Sequence, residues 1–328
     1  MFFLLIYAFI ALPFFLAGLI ITILFSSYSG RIQKLYFWDL VGAAAGCLIL
    51  IPLIPRIGPG GLVLFSGGFG LIAAALFTDN RKQVPLFITL GLIIMALPVT
   101  RSILYSGEVD QYFDFKQHIV KRGVKTDVEQ GRLERTHWDP ISKIDIIGQQ
   151  TAAGFERKHV AYDGGSQSSF IYPFDGNFAA LRDALPGATG GSFGTQSVYL
   201  SHALKEGTGA EVLVIGSAAG QEVKAALTFR AARVDAVELV GYVVHAGKHF
   251  YQDFNGGIFN HPNVAAHVAE GRSFLRASNR QYDIIQIFSN HTSSSIAAGS
   301  GAMAPTYLQT TDAYQEYFSH LKEDGLLQ

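Results

Sequence analysis

A strand, a turn of small residues and a helix follow one another in the second half of the sequence. Residues 210–215 read Ala-Glu-Val-Leu-Val-Ile, a run typical of a strand buried on both faces of a parallel sheet. The turn at 216–220, Gly-Ser-Ala-Ala-Gly, leads into a helical pattern at 221–229. Small residues let a ligand touch backbone, and free N–H groups at a helix start face it. The G-x-x-x-G spacing lacks the complete dinucleotide fingerprint, so this corner predicts a phosphate or nucleoside site.

The next strand ends in an acid. Residues 233–238 read Arg-Val-Asp-Ala-Val-Glu, which places Glu238 about 20 residues past the turn, where a carboxylate accepts hydrogen bonds from a ribose diol. The predicted nucleoside-binding residues around this corner are Gly216, Ser217, Ala218, Gly220, Glu238 and Leu239.

Two further strands complete an alternating pattern. Residues 264–268 lead into Glu270 and Gly271, and residues 282–287 precede a loop rich in serine. Strands alternating with helices in this order predict an α/β Rossmann-like doubly wound sheet. An α/β domain without a ligand is the alternative, and it would make the small-residue turn and both terminal acids accidental.

The first third of the chain has a different composition. The whole chain is 49% hydrophobic and 16% charged, with a mean hydropathy of +0.26, and most of the apolar excess precedes Arg101. Apolar runs lie at 1–25, 37–54, 61–77 and 85–99, and the first is long enough to cross the hydrocarbon core as a helix. We predict a helical transmembrane domain of about four spans over 1–105. A signal peptide is the alternative for the first run, which has no basic n-region.

Two features of the apolar region go beyond hydrophobicity. Gly42 and Gly46 form a small-xxx-small ridge that lets another helix approach. Asp39 lies within a run, where a carboxylate suggests function, but near a helix start it could cap free N–H groups instead. We predict a membrane protein whose Rossmann-like domain is cytoplasmic, although basic residues in the first and third connections would place that domain outside by the positive-inside rule. The bacterial inner membrane is the location implied by the family resemblance described below.

Several partner classes are disfavoured. The formal net charge is −1 and no run of Lys and Arg could track a phosphate backbone, so we predict no nucleic acid partner. Cys47 is the single cysteine, and the histidines share no ligand spacing, so no metal site is predicted. The bilayer is the predicted macroscopic partner, and a homodimer remains open.

The motifs together resemble a known family. The order Val-Leu-Val-Ile-Gly-Ser-Ala-Ala-Gly-Gln-Glu, Val-Glu-Leu, Glu-Gly-Arg-Ser-Phe-Leu and Tyr-Asp-Ile-Ile resembles the spermidine synthases, or polyamine aminopropyltransferases, and their membrane-bound bacterial relatives, with a class I methyltransferase-like Rossmann domain. Residues 163–167, Asp-Gly-Gly-Ser-Gln, match the family's D-G-x-x-Q. The resemblance covers most of 135–328. It implies a β-rich N-terminal subdomain over 106–205, to which 137–145 would contribute a strand, and a nucleoside-binding domain over 206–328.

The resemblance also implies a ligand. It assigns the 216–220 turn to S-adenosylmethionine or its decarboxylated form, acting as donor substrate, or to the methylthioadenosine product. By the same likeness Glu238 would hold the ribose, Glu270 and Gly271 the adenine edge, and Asp163 and Gln167 the aminopropyl or methionine side.

The sequence departs from the family at the acceptor side. An attacking amine must lose a proton, yet the position of the family's catalytic Asp is Phe288 and a second expected acid is His291. The Tyr-His-Glu cluster expected after D-G-x-x-Q is replaced by Phe-Ile-Tyr-Pro at 170–173. Catalytic residues are therefore unassigned, and Ser289, His291 and Tyr307 are the candidates. His291 beside serines suggests a hydrolase, but there is no G-x-S-x-G elbow, and a solvated loop histidine is the simpler interpretation.

The function predicted from these residues is a membrane-anchored transferase that moves an aminopropyl or methyl group from the nucleoside to an unknown acceptor. A non-catalytic nucleoside sensor or transport-associated protein is the alternative, and a membrane protein with a vestigial domain is a third. We also expect a truncation at the C-terminus, because 322–325, Lys-Glu-Asp-Gly, has the composition of a turn and only three residues follow it. Either the chain is a fragment or the sheet lacks its fifth strand.

Overall fold

The computed structural model describes residues 2–104, 122–151, 154–165, 167–185, 197–287 and 307–328. The chain divides into two compact units, residues 1–53 and 54–328. The domain boundaries given above, at 105 and 205, stay predictions.

Three helices account for the apolar region: α1 (Phe2–Ser27), α2 (Ile32–Phe77) and α3 (Val84–Leu104). Two helical stretches, Phe3–Ser27 with 25 residues and Ser29–Phe77 with 49, are long and apolar enough to cross a membrane, and Val84–Thr100 is a shorter apolar helix. Their side chains face outward, as at Phe3, which is 87% exposed, and Leu76, which is 82% exposed. Length and composition make the two long stretches candidates for membrane spans, against about four spans predicted from the sequence.

Helix α2 contains two of the predicted apolar runs. Gly58 interrupts it with φ 65° and ψ 174°, a left-handed value that glycine adopts without steric cost. Pro59 follows and cannot donate a backbone hydrogen bond. The connection between the second and third apolar runs is therefore a kink rather than a loop.

Glycines bring α2 and α3 together, but not those of the predicted ridge. A Cβ on Gly68 would lie 2.7 Å from the carbonyl oxygen of Gly91, and one on Gly91 would lie 2.8 Å from that of Gly68. A Cβ on Gly42 or Gly46 would meet nothing within 4 Å among the described residues. The expectation that the ridge at 42 and 46 packs against a helix is thus not met within the described chain, and close packing occurs instead where two glycine backbones touch.

A small antiparallel sheet follows in the order β1 (Leu133–Trp138), β2 (Lys143–Gln150), β3 (Glu156–Tyr162) and β4 (Gln167–Ile171). One of its faces packs against the short helix α4 (Arg122–Glu129) through Val124. The run 137–145, predicted as strand-like, is a hairpin: the N–H of Asp139 donates to the carbonyl of Ser142, since the acid and Pro140 favour a turn.

The larger sheet is parallel, with strand order β7-β6-β5-β8-β9. Its strands are β5 (Glu211–Ile215), β6 (Arg233–Glu238), β7 (Val264–Val268), β8 (Tyr282–Gln286) and β9 (Leu321–Leu327). The intervening helices include α5 (Phe178–Ala184), α6 (Leu200–Leu204), α7 (Gln221–Thr228), α8 (Gly241–His245), α9 (Gly271–Arg276) and α10 (Thr311–Ser319).

Helices cover both faces of the parallel sheet. On one face Val212 and Val214 pack with Val223 and Leu227 of α7. On the other, Leu213 and Ile215 pack with apolar residues of α9 and α10, among them Leu275, Ala313 and Tyr317. Adjacent strand residues point to opposite faces, so the continuous apolar run of β5 is buried on both sides. The predicted doubly wound α/β fold is confirmed.

The expectation that the fifth strand is missing is wrong. Strand β9 pairs with β8, with Leu321 beside Tyr282, and Leu326 and Leu327 beside Ile284 and Ile285. The polar residues taken for a turn form a bulge within this strand, because the register shifts between Tyr282 and Ile284.

Candidate nucleoside site

The turn after β5 is a left-handed bend, here called the 216–220 bend. Gly216 has φ 76°, Ala218 φ 41° and Gly220 φ 87°. The positive φ of Ala218 is uncommon for a residue with a Cβ and indicates backbone held by its surroundings, as happens at ligand sites. A Cβ on Gly220 would lie 2.5 Å from Cδ1 of Ile258 and 2.9 Å from the ring of Phe259. The bend therefore requires glycine at that position.

Hydrogen bonds within the protein hold this bend. The N–H groups of Gly216 and Ser217 both donate to the carbonyl of Val237, at 2.9 and 3.0 Å, and the N–H of Gly220 donates to Ser217 O at 2.8 Å. The N–H of Ala218 donates to Oε2 of Glu238 at 2.8 Å. The N–H of Ala219 also donates within the protein, as described below. Every backbone N–H of the bend is thus used internally. For a ligand the backbone of the bend therefore offers shape rather than unpaired hydrogen-bond donors.

Glu238 ends β6 directly beside the bend, where the sequence places it. Its carboxylate also accepts from the N–H of Val240 at 3.0 Å, and the residue is 6% exposed. Burial raises its pKa, which backbone N–H donors oppose and nearby Asp139 raises further. Each carboxylate oxygen has two lone pairs, so Glu238 can hold the bend and still accept from a ligand hydroxyl.

The small antiparallel sheet contacts the bend. The N–H of Ala219 donates to Oγ of Ser169 at 3.2 Å, and Nε2 of Gln221 donates to the carbonyl of Phe170 at 3.1 Å. Asp163, with φ 47°, follows β3, and its Oδ1 accepts from the N–H of Lys143 at 3.0 Å. The backbone of Gln167 begins β4, whereas its side chain lies outside the described residues.

The third predicted acid makes local contacts. Glu270 precedes α9 and accepts from the N–H groups of Arg272 and Ser273, at 3.0 and 2.8 Å. A Cβ on Gly271 would lie 2.3 Å from Cγ2 of Ile215, so Gly271 lets α9 approach the end of β5. Leu239 is 36% exposed beside Glu238. In this structure Glu270 caps a helix, and its contact with adenine stays a prediction.

The predicted catalytic candidates cannot be placed. Phe288, Ser289 and His291 lie outside the described residues, as does the side chain of Tyr307, whose backbone begins a short turn at Tyr307–Gln309. The part of the chain that the structure describes contains no group of three or more His, Cys, Asp or Glu residues able to hold a metal ion.

Sequence reasoning missed Glu222 and two tyrosines whose phenols lie within its electrostatic reach. Glu222, in the first turn of α7, is 4% exposed, and the nearby charge of Glu238 contributes to raising its pKa. The phenol of Tyr162 on β3 has a pKa raised by burial and then by Glu238 and Glu222. Burial first and Glu222 second also raise the pKa of Tyr199. The sequence shows that an acid, Glu222, follows Gly220 by two residues. It does not show that this acid is buried, because Tyr162 and Tyr199, which interact with it, are distant in sequence.

Comparison with known proteins agrees with these features. Residues 197–328 match the model of the spermine/spermidine synthase domain. The predicted resemblance to spermidine synthases is therefore confirmed for that part of the chain. No curated protein matches the chain.

Solved structures with similar folds include two spermidine synthases and a methylase. A spermidine synthase in complex with the transition state analogue AdoDATO is 20% identical with TM-score 0.41, and covers 60% of this chain and 55% of its own. The enzyme from Thermotoga maritima is 20% identical with TM-score 0.42, over 60% of this chain and 56% of its own. The ribosomal protein L11 methylase of Lactobacillus delbrueckii subsp. bulgaricus is 21% identical with TM-score 0.30, over 43% and 62%. This chain thus spans about 55% of the length of the spermidine synthases.

Proposed function

We propose that residues 197–328, which carry a spermine/spermidine synthase domain, bind a sulfonium nucleoside of the S-adenosylmethionine type and transfer an aminopropyl or methyl group from it. The observation that carries this proposal is the pairing of the bend with Glu238. A strained glycine-rich bend and a buried acid at the end of the next strand meet at the carboxyl edge of a parallel sheet, which is where this fold binds ligands.

The site residues have distinct tasks in such a transfer. Glu238 would accept hydrogen bonds from the ribose hydroxyls, while the small residues of the bend let the nucleoside approach the backbone. An acceptor lone pair then forms a bond to the carbon on sulfur, the carbon–sulfur bond breaks, and its electron pair leaves with a neutral thioether. Holding donor and acceptor together is itself a large part of such catalysis.

Membrane anchoring is the second part of the proposal. It is supported by the two long apolar helical stretches and their exposed side chains. We expect the chain to stay with the membrane pellet of a bacterial expression host after extraction at alkaline pH, and a reporter fused to the C-terminus to be active in the cytoplasm. Release into the supernatant would contradict anchoring, and a reporter active only outside would reverse the orientation.

Isothermal titration of the full chain in detergent tests donor binding. S-adenosylmethionine, its decarboxylated form and methylthioadenosine are titrated separately, and at least one should bind. Glu238→Gln should weaken that binding by about 1–3 kcal/mol, the cost of spoiling a charged hydrogen bond. Glu129→Gln, a change at an exposed residue of α4, is the matched control. Failure of all three nucleosides to bind would end the proposal.

A non-catalytic nucleoside sensor is the second candidate, favoured by the phenylalanine at 288 where the family has its catalytic acid. A donor labelled in the transferred group, incubated with putrescine and with membrane extracts, separates the two. Label appearing in an amine, thiol or lipid product supports the transferase. Donor binding without any transfer of label would favour the sensor.

A further inference from the structure

One buried acid near the bend has no role in the nucleoside contacts described above. Glu222 lies in the first turn of α7, two residues after Gly220, and is 4% exposed. Within the described part of the chain its carboxylate accepts a hydrogen bond only from its own backbone N–H, and no Lys, Arg or His pairs with it. Burying a carboxylate without a cationic partner is costly, and the described residues leave Glu222 without one.

The groups within electrostatic reach of Glu222 are acidic or phenolic. They come from three elements: Glu238 at the end of β6, Tyr162 at the end of β3, and Tyr199 just before α6. Burial raises the pKa of Glu222 to about 7; its own N–H opposes this and Glu238 adds to it. Two carboxylates and two phenols together favour a cation between them.

A second observation at the bend points to a ligand. Ser217 is 0% exposed, and its Oγ has no hydrogen-bond partner among the described residues. Buried hydroxyl groups are normally satisfied. The bend thus presents one buried hydroxyl group without a described partner, five residues before Glu222 in the chain.

We propose that Glu222 anchors a subsite for a primary ammonium group beside the nucleoside, with the phenols of Tyr162 and Tyr199 close to it. The proposal rests on the proposed function, because the nucleoside is what brings an ammonium to the bend. It places the cation-binding acid on α7 rather than after β8, where position 288 carries phenylalanine. The ammonium comes either from the side chain of the donor or from an amine acceptor, and both have the same chemistry.

Titration calorimetry of the full chain in detergent can tell the sources apart. The ligands are methylthioadenosine, which lacks the ammonium, decarboxylated S-adenosylmethionine, which carries it, and putrescine added to protein saturated with methylthioadenosine. The proteins are the wild type, Glu222→Gln and the control Glu129→Gln. We expect Glu222→Gln to bind methylthioadenosine within about twofold of wild type and to lose about tenfold or more for one ammonium ligand, as for a charged hydrogen bond.

The affected ligand identifies the source. Loss for decarboxylated S-adenosylmethionine assigns the subsite to the donor, and loss for putrescine assigns it to the acceptor. Unchanged affinity for both, with methylthioadenosine still bound, overturns the subsite and leaves the proposed function standing. An equal loss for methylthioadenosine also overturns it, because Glu222 would then support the bend. If the wild type binds no nucleoside, the proposed function fails and the subsite with it.

The wild type provides a second measurement that needs no variant. An ammonium of ordinary amine pKa stays charged from pH 6 to 8, whereas Glu222 becomes anionic as the pH rises through its pKa of about 7. The affinity for the ammonium ligand should therefore rise with pH by several-fold over this range while that for methylthioadenosine stays level. Two parallel pH profiles would contradict the subsite.

Discussion

Strand β6 carries a buried carboxylate near each end, and the two have opposite kinds of hydrogen-bond partners and opposite pKa shifts. Asp235, 1% exposed near the start of the strand, accepts from Arg233 at 2.9 and 3.0 Å and from His267 at 2.9 Å. Burial alone would raise its pKa, but these partners hold the pKa below its ordinary value. Glu238, which ends the strand, accepts only from backbone N–H groups among the described residues, and burial raises its pKa.

This difference separates a structural cluster from a candidate functional one. An acid saturated by cations has nothing left to offer a ligand, and its role is to hold strands together. A buried acid that accepts only from neutral donors keeps free lone pairs and a negative charge that no cation neutralises. This arrangement is common where ligands or reacting groups bind. The carboxyl edge of the sheet holds two such acids, Glu222 and Glu238.

The largest effect is expected at the saturated end. Asp235→Asn removes the charge that Arg233 and His267 surround and should lower the free energy of unfolding by about 3 kcal/mol. Nucleoside affinity should not change, because Asp235 lies at the other end of the strand. Thermal unfolding and calorimetry on the same samples measure both, with Glu129→Gln as control. Weakened nucleoside binding without a loss of stability would mean that Asp235, and not only Glu238, serves ligand binding.

The bend offers the next largest effect. Gly220→Ala places a Cβ 2.5 Å from Ile258 at φ 87° and should cost about 2–3 kcal/mol of stability, since strain and overpacking add. Gly131→Ala is the matched control: φ is 73° there, and the Cβ would meet nothing within 4 Å. It should cost only about 1 kcal/mol. Equal losses in the two variants would mean that packing at the bend contributes nothing.

At the ligand end, binding should change more than stability. Glu238→Gln can keep one backbone hydrogen bond but turns its amide N–H₂ toward another N–H donor. We expect nucleoside affinity to fall by about 2 kcal/mol and the free energy of unfolding by about 1 kcal/mol. Calorimetry and thermal unfolding give the two values. A stability loss as large as that of Asp235→Asn, with affinity retained, would make Glu238 a structural acid too.

The smallest effect concerns another saturated acid, Glu316 on α10. Hydrogen bonds from Arg272 and then Arg276 lower its pKa to about 2. A depressed pKa contributes stability that is present above the ordinary value of about 4.5 and is lost as the pH falls toward 2. Because the site is near the surface, we expect less than about 1 kcal/mol. Acid titration of Glu316→Gln beside wild type measures it, and identical curves would contradict the linkage.

The sequence predicts the strands of the parallel sheet well. Strands β6 and β7 occupy the residues predicted for them, because valine-containing runs between helical patterns favour strands at regular intervals. Glu238 stands at the predicted strand end for the same reason.

What the sequence misses depends on long-range contacts. Glu222 has the pattern of a solvated acid in a helix start, yet it is 4% exposed and lies within electrostatic reach of Tyr162 on β3 and Tyr199 before α6. The polar residues 322–325 look like a turn because the bulge in β9 is set by its pairing with β8. Likewise no local pattern distinguishes Gly68, which touches Gly91, from Gly42, which has no neighbour.

A structure of the full chain with methylthioadenosine tests the central claim most directly. We expect the adenosyl group against the 216–220 bend, with a ribose hydroxyl about 2.5–2.7 Å from an oxygen of Glu238, the usual length for a hydroxyl donating to a carboxylate. Density for the nucleoside elsewhere, or a bend whose approach is filled by side chains in the presence of saturating ligand, would contradict it.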